Sequence, residues 1–119
     1  MNVLRRLCIL IFACSFASAG SAQGLTHGVA TNADLWLSAS EIQTLQAKAA
    51  EGDAEAAIKL FSYYEFYKDD YSAGIRWMTI AAENGDTYSA CNLAKMLRRE
   101  KDDFSVRRAS FWQKKCEGG

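Results

Sequence analysis

Apolar residues recur three and four positions apart along most of this chain, in short runs interrupted at even intervals by polar turns. Ile42, Leu45 and Ala49 form the first stripe, behind Ser38 with Glu41 or Ser40 with Gln43 at capping-box spacing. They predict a helix over 39–51 that Gly52 stops. Asp53 is placed to cap a second helix whose stripe is Ala57, Leu60, Phe61, Tyr64 and Tyr67, and Lys68-Asp69-Asp70 breaks that pattern with a polar turn. A third helix is expected from Tyr71 to about Glu83, carrying Tyr71, Ile75, Met78 and Ala82 with Gly74 and Trp77 at its flanks. Asn84-Gly85 ends it, because both residues accept left-handed backbone. Asp86 then caps a helix bearing Ala90, Leu93, Ala94 and Leu97, and Lys101-Asp102-Asp103 copies the earlier turn. Phe104 to about Cys116 makes the last helix, anchored by Phe111 and Trp112. The sequence contains no proline, so no internal break is expected in any of these five antiparallel helices.

The interruptions are themselves periodic. GDAEAAIKLFSYYEFYKDDY, from Gly52, and GDTYSACNLAKMLRREKDDF, from Gly85, align over a step of 33. Self-similarity at this period marks a stack of helical hairpins, an architecture that serves binding more often than chemistry. Ala81 and Ala82 suit close approach of backbones, and Trp77 can fill the gap between hairpins with one large apolar surface.

The order Asp70-Tyr71, Gly74, Trp77, Ala81-Ala82-Glu83 and Gly85-Asp86 resembles the Sel-one-like repeat family, a relative of the tetratricopeptide solenoids. Gly74 stands where that family usually has alanine, and Phe61 where it prefers a small residue. Ala49-Ala50-Glu51-Gly52-Asp53 looks like the tail of an earlier half-repeat, and Asp103-Phe104, Ala109 and Trp112 keep the order more loosely. The resemblance implies an all-α fold, a short right-handed αα-hairpin solenoid of about five antiparallel helices, with scaffold or adaptor roles.

Ahead of the repeats, Arg5 and Arg6 precede an apolar run from Leu7 to Phe16 and the small residues Ala17 to Ala22, the layout of a secretory signal over 1–22. The apolar run is about half of the roughly 20 residues that a spanning helix needs. Ile11-Phe12-Ala13-Cys14 resembles a lipobox and is the alternative, a lipoprotein through Cys14, although Phe12 is bulky for such a motif. Residues 23–37 form a lead-in with His27, in which Leu35, Trp36 and Leu37 can fold back on the first helix. Residues 38–119 form the repeat domain, and the expected location is periplasmic or secreted.

Without the signal the chain has 12 basic and 14 acidic residues, which argues against a general nucleic-acid binder. The charge is uneven: Gln23 to Asp86 carries four basic and ten acidic residues, and Thr87 to Gly119 eight basic and four acidic. The basic set is Lys95, Arg98, Arg99, Lys101, Arg107, Arg108, Lys114 and Lys115. It reads either as a solvated face or as a docking surface for an acidic partner.

Cys91 and Cys116 are the only cysteines beyond the signal. One falls early in a helix and the other late in the next, level with each other in an antiparallel hairpin, so a disulfide is expected in an oxidising compartment. Closing that loop contributes about 3.5 kcal/mol in the chain-entropy model. No metal site or cofactor is expected, since the single histidine, His27, lies in the lead-in and no close cysteine pair exists. Asp69-Asp70 and Asp102-Asp103 fall in turns where they cap helices, and no enzymatic activity is expected.

Phe61, Tyr63, Tyr64, Phe66 and Tyr67 crowd one helix that cannot bury all of them. They either line a groove or pack under the lead-in near Trp36. At α-helical spacing Lys59, Tyr63 and Phe66 share a face, and Asn92, Met96 and Arg99 follow one repeat later, giving a partner-binding strip. The function expected is that of an exported bacterial protein-binding adaptor whose partner is a toxin or envelope protein, an immunity protein being the narrower version. The alternative is a cell-wall or small-ligand hydrolase of the cysteine-rich repeat type, which would require a deep polar pocket.

Overall fold

The computed structural model describes residues 32–118. The expected signal, Cys14 and His27 lie outside the described residues. A 3₁₀ turn, Asn32–Leu35, precedes five α-helices: α1 (Ala39–Ala50), α2 (Ala54–Ser62), α3 (Tyr71–Glu83), α4 (Thr87–Arg99) and α5 (Asp103–Glu117). A π-helical turn, Tyr63–Tyr67, continues α2, and no strand occurs among the described residues. Each α-helix packs on the next along the chain.

Local chemistry accounts for the boundaries. Ser38 and Glu41 make a reciprocal capping box at the start of α1, which selects that pair over Ser40 and Gln43. Every later α-helix starts with an aspartate that accepts a backbone N–H three residues on: Asp53 from Ala56, Asp70 from Ala73, Asp86 from Ser89 and Asp102 from Ser105. Gly52 and Gly85 take φ of 104° and 94° just beyond α1 and α3, conformations that glycine adopts without steric cost.

The core lies in two clusters. Ala49, Ala56, Ala57, Leu60 and Ala81 join α1, α2 and α3, with Leu37, Ile42, Leu45, Tyr64 and Trp77 packed at the margin. Met78, Ala82, Ala90, Leu93, Ala94, Met96 and Trp112 join α3, α4 and α5, with Phe61, Tyr71, Ile75 and Leu97 beside them. Alanine at most contact points lets the helices approach closely, and Trp112 supplies the bulk in the second cluster. Two long-range hydrogen bonds tie the layers: Asn84 Nδ2 donates to the Ala49 carbonyl (2.9 Å), and Tyr71 Oη to the Met96 carbonyl (3.2 Å). Cys91, in the second turn of α4, is disulfide-bonded to Cys116, in the last turn of α5, with 4.9 Å between Cα atoms.

Three expectations change. The helix from Asp53 is not α-helical to Tyr67: Lys68 N–H reaches back five residues to the Tyr63 carbonyl, the π pattern. Proline is not needed for this; one extra residue suffices. From cap to cap the first copy, Asp53 to Asp70, is one residue longer than the second, Asp86 to Asp102, and the wider turn absorbs the surplus. For the same reason α5 starts at Asp103 under an Asp102 cap, one residue earlier than the repeat step implies. Finally, Trp112 is a core anchor but Phe111 is not: it is 43% exposed and carries Arg108 over its ring at 4.6 Å.

Candidate functional site

The π turn and α4 stand on either side of a groove of about 420 Å³. Ile58, Phe61, Ser62, Glu65 and Phe66 form one wall, Tyr88, Ser89, Asn92, Lys95, Met96 and Arg99 the other, and Met78 of α3 contributes from below. Tyr88, Asn92, Lys95 and Arg99 follow at steps of three and four, with Met96 four beyond Asn92, on one face of α4. The opposite wall depends on the wider turn. Phe61 and Phe66 are five apart and meet edge to face with centroids at 5.5 Å, neighbours on a helix whose bonds span five residues.

The expected strip Lys59, Tyr63, Phe66, Asn92, Met96 and Arg99 is only partly brought together. Phe66, Asn92, Met96 and Arg99 line this groove. Lys59 faces a separate hollow of about 270 Å³ with Leu37, Glu41 and Leu45 of the lead-in and α1. Tyr63 is 8% exposed, stacked on Tyr67 at 5.5 Å and edge-on to Tyr64 at 5.1 Å. Once the bonding becomes π, α-helical spacing no longer says which residues share a face. The lead-in covers part of the aromatic crowd, since the 3₁₀ turn packs on the π turn. Phe66 at 59% and Tyr88 at 73% exposure are left as uncovered aromatic edges of the groove.

Glu65 is the residue that α-helical reasoning passed over. A Cβ on Gly74 would lie 2.6 Å from Glu65 Oε2 and 3.3 Å from its Cβ, so glycine at 74 is what lets the π turn seat against α3. The departure of Gly74 from the alanine usual in the resembled family was the available signal. Burial above all, with the nearby Asp69 charge, raises the Glu65 carboxyl above its ordinary pKa, and Arg99 opposes the shift. Tyr71 is also raised, first by burial and then by Glu100.

Two buried polar atoms of the groove residues have no hydrogen-bond partner in the protein: Glu65 Oε2 on the π wall and Ser89 Oγ on the α4 wall. Among the described residues no group of three or more histidine, cysteine, aspartate or glutamate side chains is placed to hold a metal. Asp70 and Asp102 spend their carboxylates on helix caps, and the hydrogen bonds from Ser105 hold Asp102 below its ordinary pKa. Comparisons with protein-family models, curated proteins and solved structures return no match to this chain.

Proposed function

We propose that this chain is a small exported bacterial protein that grips another protein in the periplasm, an adaptor of the Sel-one-like, tetratricopeptide-related kind. On this reading the five helices stand as antiparallel αα-hairpins of a short right-handed solenoid, behind a signal at 1–22 and a lead-in at 23–37. The observation that carries it is the open groove: an apolar base of Phe61, Met78 and Met96 between the exposed rings of Phe66 and Tyr88. Uncovered aromatics beside an apolar base are what a protein partner buries at the centre of an interface. The Cys91–Cys116 bond supports an oxidising compartment, and no helix among the described residues is long and apolar enough to cross a membrane. An immunity protein that neutralises a delivered toxin is the narrower form of the same reading.

The hydrolase reading needs a nucleophile with a base in reach. Among the described residues Ser89 Oγ has no hydrogen-bond partner, so nothing there activates it. The test is capture from periplasmic extract with the oxidised protein and, in parallel, a Phe66→Ala/Tyr88→Ala variant. A partner held by the parent and lost by the variant is expected. Equal recovery by both would move the binding face elsewhere.

A further inference from the structure

The groove carries more information than its apolar base. Lys95 and Arg99 are exposed on the α4 side of the same groove, at the start of the strongly basic C-terminal part of the chain. Fixed cations at the edge of an apolar groove favour a guest with carboxylates beside its apolar anchor.

Resting on the protein-binding reading above, we infer that the groove takes a segment of a partner protein in which an acidic residue adjoins an apolar one. The apolar side chain sits between Phe66 and Tyr88 over Met78. The acidic side chain meets Lys95 and Arg99. A second copy of this chain is the competing occupant, because its N-terminal part is acidic.

The test titrates the oxidised, isotope-labelled chain with two capped hexapeptides, one alternating aspartate and leucine, the other alternating lysine and leucine, followed by amide chemical shifts. The aspartate peptide is expected to move resonances of the π turn and α4 and to bind more tightly than the lysine peptide. Lys95→Ala with Arg99→Ala weakens it about fivefold and reduces its salt dependence. Phe66→Ala weakens it about threefold, by removing one of the exposed ring edges that flank the apolar side chain. No binding, equal binding of both peptides, or undiminished binding to the Lys95→Ala/Arg99→Ala variant overturns the inference. So does concentration-dependent self-association that Phe66→Ala abolishes, which would make the occupant a second copy. Loss of a captured partner in the Phe66→Ala/Tyr88→Ala variant, with no preference for the aspartate peptide, would leave the protein-binding reading standing and sink this one.

Discussion

The segment from Asp53 through α3 and the segment from Asp86 through α5 are written on one template, yet they hold their shape by different means. The first has one residue more between its aspartate caps and widens a helical turn to accommodate it. That turn presses Glu65 against Gly74 and spreads four aromatic rings around its circumference. The second runs as unbroken α-helix and is closed by a disulfide. A regular hairpin can therefore serve as rigid support while its slightly longer sibling, freed from strict α spacing, builds the irregular wall of a groove. π turns recur at functional sites for this reason: they re-aim side chains without breaking the helix.

The largest expected effect comes from opening the second hairpin. Cys91→Ser with Cys116→Ser should lower the unfolding free energy by about 3.5 kcal/mol, read by urea denaturation. Amide exchange should quicken most in α4 and α5 and least in α1. A uniform quickening would mean that the two segments melt as one unit and that the disulfide is no private device of the second.

Next in size is the contact unique to the first segment. Gly74→Val should cost about 2 kcal/mol by forcing a side chain into space that Glu65 fills. Gly74→Ala made on a Glu65→Ala background should instead gain about 0.5–1 kcal/mol, the ordinary advantage of alanine over glycine within a helix. The gain should shrink when Glu65 is present, because its Oε2 would lie 2.6 Å from the new methyl and must shift. If Gly74→Ala has the same effect with and without Glu65, the two residues are not coupled and the account of Gly74 fails.

Much of this architecture is legible in the sequence because its determinants are local. An aspartate at a helix start, glycine at a helix end and alanine at three-and-four spacing act within a turn of themselves, and α1, α3 and α4 lie where those residues imply. The disulfide was legible for a similar reason, since neighbouring helices joined by a short turn bring Cys91 and Cys116 level. The π turn was not legible. Its cause is a difference of one residue between two copies, and the repeat of Lys-Asp-Asp at an unchanged step concealed it. Four of six expected groove residues came together, because three of them sit on the regular α4. Tyr63 was lost where α spacing was extended into the π turn, whereas Lys59 sits on the regular α2 and faces the hollow beside α1.

That slip of one residue can be tested directly. Asp102 caps α5, whereas the repeat step would pair Asp103 with Asp70. Asp102→Ala should lower the melting temperature and Asp103→Ala should leave it nearly unchanged. The Asp102 carboxyl is held below its ordinary pKa by the Ser105 hydrogen bonds, so its contribution is present above the usual aspartate range and fades as pH falls through the lowered value. A larger loss from Asp103→Ala would restore the equal-length template and remove the reason given for the wide turn.

The smallest effect concerns Glu65, and its sign separates a strained carboxylate from a stabilising one. Burial and Asp69 raise its pKa in the folded protein, so the fold binds this proton more tightly than the unfolded chain does. Its contribution is complete below the ordinary glutamate pKa and is lost as pH rises through the raised one. Glu65→Gln, which keeps the shape without the charge, should melt close to the parent at pH 4 and above it at pH 8, with the difference growing between. At the step of 33 the counterpart of Glu65 in the second segment is Arg98, which is exposed and donates to Gln113 Oε1, so Arg98→Gln should bring no comparable gain. If Glu65→Gln proves less stable than the parent at pH 8, the ionised carboxylate holds the π turn in place through Arg99, and the groove wall is stabilised by the charge rather than in spite of it.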